Sequence, residues 1–221
     1  GETSGMTNST TMAEPVHGTD DGAARKPQQR GDTRGRLLAA AQDLFVSKGF
    51  HATRPQDISK AAGVGHGTFY LHFKDKQACF LAFAEAAAES LDAYVESHAG
   101  EELTPYEAIR ESIRLTYEFS RAHPGLLAAA LTDMSVIDGG EGGSILMGRW
   151  GIQWGEMLAG WKAEGKVAEH VDAGFIGYAI PGIIRQAGEY AAGKETTEQE
   201  PLDALMAFLA AGLGLTKNEE T

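Results

Sequence analysis

Apolar residues recur at the three-and-four spacing of an α-helix from residue 37 almost to the end of the chain. No stretch alternates apolar with polar residues for long enough to make a strand. The chain is therefore expected to be all-α. In "GDTRGRLLAAAQDLFVSKGF" the residues Leu37, Ala41, Leu44 and Phe45 share one stripe, Asp32 or Thr33 can cap the start, and Gly49 supplies a stop. A short helix follows in "RPQDISKAAG", with Pro55 suited to its first position, Asp57 to its positive end and Gly63 to its C-terminal turn. Asp75 can cap a long helix from Lys76 to His98, lined on one side by Phe80, Phe83, Ala87, Leu91 and Tyr94.

Between the second helix and the long one lies "GVGHGTFYLHFKDK". Two short helices joined by a glycine turn, behind a longer supporting helix, form a helix-turn-helix. On a DNA-reading helix the inner face packs, and the outer face carries small, polar and aromatic groups that reach phosphates and base edges. Gly65 can serve as the N-cap of this third helix. Gly67 removes bulk where backbone would meet DNA, Thr68, Tyr70 and His72 can bond phosphate, and His66 could reach a base edge. Phe69 and Phe73 are expected to pack inward. Charge agrees with this assignment. The net charge is -12, yet residues 25–76 carry ten Lys/Arg against four Asp/Glu, while residues 77–221 carry nine against twenty-three. A phosphate backbone responds to the local basic segment rather than to the total.

"RLLAAAQDLFVSKGFHATRPQDISKAAGVGHGTFYLHFKDKQACF" resembles the DNA-binding domain of the TetR family of transcriptional regulators, over about residues 34–83. The resemblance implies an N-terminal three-helix DNA-binding domain and a larger C-terminal helical domain for ligand binding and dimerisation. It places Thr53, His66, Thr68, Tyr70, His72 and Lys76 where the family touches DNA. Arg54-Pro55, Gly65 and "KQACF" depart from the family's usual residues. The expected division is a disordered leader over 1–29, the DNA-binding domain over 30–76, and the ligand-binding and dimerisation domain over 77–221.

In the acidic body, Thr104 with Glu107 forms a capping box, with Pro105 between them, that opens a helix to about Ala122. Pro124 is expected to open another in "PGLLAAALTDM", and "DGGEGG" reads as a flexible break. Met147, Trp150, Trp154, Met157 and Trp161 then share one stripe, and Gly148, Gly151 and Gly155 make a second that admits a close neighbour. Such a large stripe is ordinarily core. The family's homologous region walls a ligand chamber, which makes Tyr117, Met147, Trp150, Trp154, Met157, Phe175 and Tyr178 candidate lining, with Arg121, His123 or Arg185 able to anchor a polar end. Pro181 is expected to bend its helix. Residues 173–192 and 201–215 are apolar nearly all round, so a second subunit is expected to cover them. With the family's paired final helices, this makes Ile180, Ile184, Leu205 and Leu209 candidate dimer-interface residues.

An enzyme is not expected. The seven histidines form no HExxH or H-x-x-x-H pair, and there is no G-x-S-x-G, phosphate loop or cysteine cluster. No catalytic residues, metal site or cofactor are assigned. A single cysteine, Cys79, fits a reducing cytoplasm, and no apolar run reaches the length of a membrane span. The expected partners are double-stranded DNA with a near-palindromic operator, a small-molecule effector and a second copy of the chain. Two alternatives stay open: a regulator controlled by a protein partner, and a helical binding protein without DNA binding.

Overall fold

The computed structural model describes residues 27–132, 144–193 and 199–217, and those residues form α-helices joined by turns. In chain order α1 is Pro27–Ala52, α2 Pro55–Ala61, α3 His66–Tyr70, α4 Lys76–His98, α5 Pro105–Ala122, α6 Leu126–Ala130, α7 Ile145–Ala163, α8 Ala173–Ala192 and α9 Gln199–Leu213. The segment "DGGEGG", the end of "PGLLAAALTDM" and residues 1–26 of the expected leader lie outside the described residues.

Most helix ends obey local chemistry. The Asp75 carboxylate accepts the Ala78 N–H at 2.7 Å, and the Thr104 hydroxyl and Glu107 carboxylate cap each other's backbone at 3.3 and 2.9 Å. Pro55 occupies the first turn of α2, and the Asp57 carboxylate accepts the Arg54 N–H. One expectation fails: Asp32 and Thr33 are not caps. Pro27 suits a first helical turn, so α1 already runs through them, and Thr33 faces the core. Gly49 does interrupt α1, with φ 80° and ψ 169°, before a last turn to Ala52. Pro181 does not interrupt α8, which is continuous from Ala173 to Ala192.

Two hydrophobic cores build the molecule. The first is an aromatic knot: the rings of Phe45 and Phe50 each meet Phe80 at 5.3 Å, and Phe45 meets Phe83 at 5.5 Å. It takes Leu37, Ile58 and Phe69 from α1–α3, and it continues without a break to Phe119, Leu126, Leu131 and Leu146. The second gathers Ile109, Ile113, Leu158, Ile180, Ile184, Met206 and Leu209 from α5 and α7–α9. Packing is therefore continuous across residue 76, and α4 is the element the basic head shares with the body.

Glycines set the closest helix pair. α7 and α8 meet where Gly151 and Gly155 face Tyr178 and Gly177. A Cβ added to Gly177 would lie 2.3 Å from the Gly155 nitrogen, and one added to Gly151 would lie 2.9 Å from the Tyr178 Cα. Backbone approach this close requires the missing side chains.

Candidate functional site

At the basic end, α3 sits between Gly63, whose φ of 66° makes the turn, and Asp75 at the cap of α4. Phe69 and Phe73 are buried and hold the helix down. Outward stand His66, Gly67 and Tyr70, the His66 and Tyr70 rings meeting edge-on at 5.3 Å; Thr68 is half-buried. Gly65 is the N-cap, with extended backbone and no side chain to offer. Beyond its chain neighbours and its own helix backbone, no described atom lies within 4 Å of where a Gly67 Cβ would be, so packing does not require that glycine. His72 is half-buried at the edge of this face.

Two residues leave the set. Thr53 is fully buried, and its hydroxyl donates to Gly49 O at 2.8 Å and Leu44 O at 3.3 Å, closing the end of α1. The Lys76 ammonium donates to Phe50 O at 2.8 Å and lies 4.2 Å above the Phe50 ring, and its partial burial lowers its pKa. Both side chains are engaged inside the protein, because the sharp exit from α1 leaves carbonyls that need donors. Arg36, though exposed, also spends a donor within the protein, on Ala62 O at 2.6 Å. Arg54, Lys60 and Lys74 remain exposed around α3. Leu71, at 75% exposed, completes the outward face beside Tyr70. The sequence signal for it was an apolar residue between two polar ones in "YLHF", with both neighbouring phenylalanines already claimed by the core.

In the body, a chamber of about 900 Å³ opens between α4, α5, α6, α7 and α8, along the seam of the two cores. Tyr117, Arg121, Met147, Trp150, Trp154 and Met157 line it, as the sequence suggested, with His123 and Arg185 at its edge. Phe175 and Tyr178 do not. They are 71% and 62% exposed, with the Tyr178 ring lying over Gly148 and Gly151 of α7, because Ile180 and Ile184 set the phase that faces inward. The sequence also missed Leu91, Asp92 and Val95 of α4 and the hydroxyl row Ser112, Thr116 and Ser120 of α5. That row was visible as a four-residue spacing on the face next to Ile109 and Ile113.

Polar ties run from this chamber into α4. The Asp92 carboxylate accepts from the Arg149 guanidinium at 2.8 Å and from the Trp150 indole N–H at 3.2 Å, and Arg149 also reaches Glu85 at 2.9 Å. The Tyr94 hydroxyl donates to Glu118 at 2.5 Å, and Arg114 bridges Glu118 and Glu111. The Tyr117 hydroxyl donates to Ile184 O at 3.0 Å, and burial pushes its pKa up to about 12.

The four candidate interface residues are corrected by the same helical phase. Ile180, Ile184, Leu205 and Leu209 are all buried within the single chain, in the second core. The large apolar groups left exposed on α8 and α9 are Phe175, Tyr178, Tyr190 and Phe208. Among the described residues no group of His, Cys, Asp and Glu could hold a metal ion, and no helix is long and apolar enough to cross a membrane.

Residues 37–83 match the sequence family of bacterial regulatory proteins, tetR family. The transcriptional regulator RutR of Escherichia coli (strain K12) is 31% identical over 140 residues, 60% of this chain and 63% of RutR. The uncharacterised regulator YerO of Bacillus subtilis (strain 168) is 32% identical over 102 residues, 44% of this chain and 35% of YerO. The chain thus spans between about a third and just under two thirds of these curated relatives. Among solved structures, the fatty acid degradation regulator FadR from Bacillus halodurans superposes with a TM-score of 0.64 over 83% of this chain and 97% of FadR, at 20% identity. The helix-turn-helix is thus similar in sequence to bacterial regulatory proteins of the tetR family over residues 37–83, and the chain as a whole is similar in fold to FadR.

Proposed function

We propose that the protein is a transcriptional regulator that binds duplex DNA through α3, works as a two-fold dimer, and loses operator affinity when a small, largely apolar molecule fills the chamber. The observation that carries this reading is α4. One helix of 23 residues starts at the cap beside α3 and ends as a wall of the chamber, gripped there by Arg149 and Trp150. A ligand that moves Trp150 moves the partner of Asp92, and through α4 the angle of the reading head.

On the head, His66, Gly65, Gly67, Thr68, Tyr70 and His72 form the contact surface, with Leu71 suited to a thymine methyl and Arg54, Lys60 and Lys74 to phosphates. Dimerisation is assigned to Phe175, Tyr178 and Phe208, which a partner would cover. Two heads on a two-fold axis would meet half-sites about 34–36 Å apart, or a multiple, on a near-palindrome. A coupling of about 1–3 kcal/mol suffices for a 5–150-fold change in operator affinity, and DNA must weaken the ligand by the same factor. An acidic body with one buried cysteine fits a cytoplasmic protein that holds DNA only by its basic end.

The test is binding of the whole protein to a duplex library across a salt series. Affinity should fall steeply with salt, Tyr70→Phe should weaken every sequence, and His66→Ala should change the preferred ones. Binding that ignores salt, or that survives loss of both side chains, refutes the proposal.

A further inference from the structure

Building on the reading of the chamber as a ligand site, we infer that its ligand is an apolar molecule leading with a hydrogen-bond donor, a hydroxyl or amino group, and not with a carboxylate or acyl carbonyl. The grounds are in which protons the described lining has already committed. Thr116 donates its hydroxyl proton to Ser112 O at 2.7 Å, Ser120 to Thr116 O at 2.9 Å, and Tyr117 to Ile184 O at 3.0 Å. A backbone carbonyl can only accept, so in each pair the hydroxyl must be the donor. A hydroxyl has one proton, and what these three oxygens keep is lone pairs.

The opposite wall repeats the pattern. The single N–H of the Trp150 indole is held by Asp92, and the Asp92 carboxylate is an acceptor only. Met147 and Met157 add apolar surface, and Trp154 adds π surface together with an indole N–H that has no described partner. The other side-chain donors of the lining belong to Arg121, His123, Gln153 and Arg185, all four of them exposed residues, with Arg185 held by Glu189 at 2.9 Å. Ser112 alone in the α5 row has no described partner and can act either way. Among its less exposed lining residues the chamber thus sets the oxygens of Thr116, Tyr117, Ser120 and Asp92 as acceptors against two side-chain donors, the Trp154 N–H and the Ser112 hydroxyl. An anionic or carbonyl head brought against Thr116, Tyr117, Ser120 and Asp92 would face lone pairs, and a buried acceptor without a donor is penalised. A phenol, alcohol or amine brings the missing proton.

The experiment uses three probes of matched length on the full chain: 4-hexylphenol, 4-hexylanisole and 4-hexylbenzoate, titrated against tryptophan emission, since Trp150 and Trp154 line the chamber. The phenol should bind at least about tenfold more tightly than either analogue. Thr116→Val, which keeps the shape and removes the oxygen, should weaken the phenol several-fold and leave the anisole unchanged, with thermal unfolding confirming an intact fold. If the anisole or the benzoate binds as tightly as the phenol, the donor rule is overturned while the chamber stands as a ligand site. If Thr116→Val weakens all three alike, the rule is overturned too. If none of the three binds, both the rule and the chamber reading are overturned.

Discussion

Replacing Gly177 with alanine should destabilise this protein, against the usual sign for such a change in a helix. Gly177 lies in α8, where alanine is intrinsically better than glycine by about 0.8–1.0 kcal/mol. Its added Cβ, however, would lie 2.3 Å from the Gly155 nitrogen, 2.4 Å from the Gly155 Cα and 2.9 Å from the Trp154 carbonyl carbon. All three are backbone atoms of α7, so no rotamer relieves the clash; the helices must part by about 1 Å. Overpacking of this kind costs about 1–3 kcal/mol, and rigid neighbours put it at or beyond the top of that range. After the propensity gain, a net loss of about 2 kcal/mol or more remains, roughly 4–8 °C in Tm for a chain of this size. Gly182→Ala is the control: the same helix, with only the end of the flexible Met147 side chain 4.0 Å away, so Tm should hold or rise. Thermal unfolding by circular dichroism decides it. A Gly177→Ala protein as stable as the wild type would show that the α7–α8 contact is looser than described.

Thr53→Ala should lower stability by about 1 kcal/mol through its lost hydrogen bonds, with DNA affinity unchanged at temperatures where the protein stays folded; a selective loss of DNA binding would return Thr53 to the contact surface. Phe208→Asp should yield a folded monomer in sedimentation, because that side chain is exposed in the single chain, whereas Leu209→Asp, inside the second core, should unfold it; a dimeric Phe208→Asp protein would refute the assigned interface. The buried Cys79 thiol, whose pKa burial pushes up to about 12, should resist alkylation at pH 8 until denaturant is added, and fast native labelling would contradict the packing of α4. Hydrogen bonds from Arg114 to Glu111 and from Tyr94 to Glu118 hold both carboxyls below their ordinary 4.5, so the stability they contribute is present above that value and is lost as pH falls through the depressed ones. Tyr94→Phe should therefore shrink the loss of Tm between pH 6 and pH 3, and an unchanged acid slope would refute the tie.

What the sequence made legible was local. The Asp75 cap, the Thr104–Glu107 box and Pro55 in the first turn of α2 depend on residues a few places apart, and each stands where the pattern put it. The glycine stripe of α7 was legible too, since small residues at helical spacing can only serve close approach. Rotational phase was not. α8 is apolar nearly all round, so no polar face tells which side turns inward, and Phe175 and Tyr178 were assigned to the chamber while Ile180 and Ile184 were assigned to an interface. Thr53 and Lys76 misled for a different reason. Their polar ends bond carbonyls at the kinked end of α1, contacts that exist only once the chain has turned at Gly49. The share of α4 in the chamber was hidden because Asp92 looks like any surface acid until Arg149 and Trp150 arrive from a helix more than fifty residues later.

The core that passes unbroken from Leu37 to Leu146 also sets how such proteins can be recombined. A chimaera joined at residue 76 would graft a foreign Phe45 and Phe50 against the resident Phe80 and Phe83, and a foreign α1 against α6, where Val46 lies 3.1 Å from the place a Gly125 Cβ would take. Mismatched volumes there would be felt in the part of the chamber wall that α4 and α6 supply. A head exchanged for a new operator should therefore travel with α4 and its contacts on α6, so that the cut falls along the seam between the cores, where the chamber already interrupts the packing.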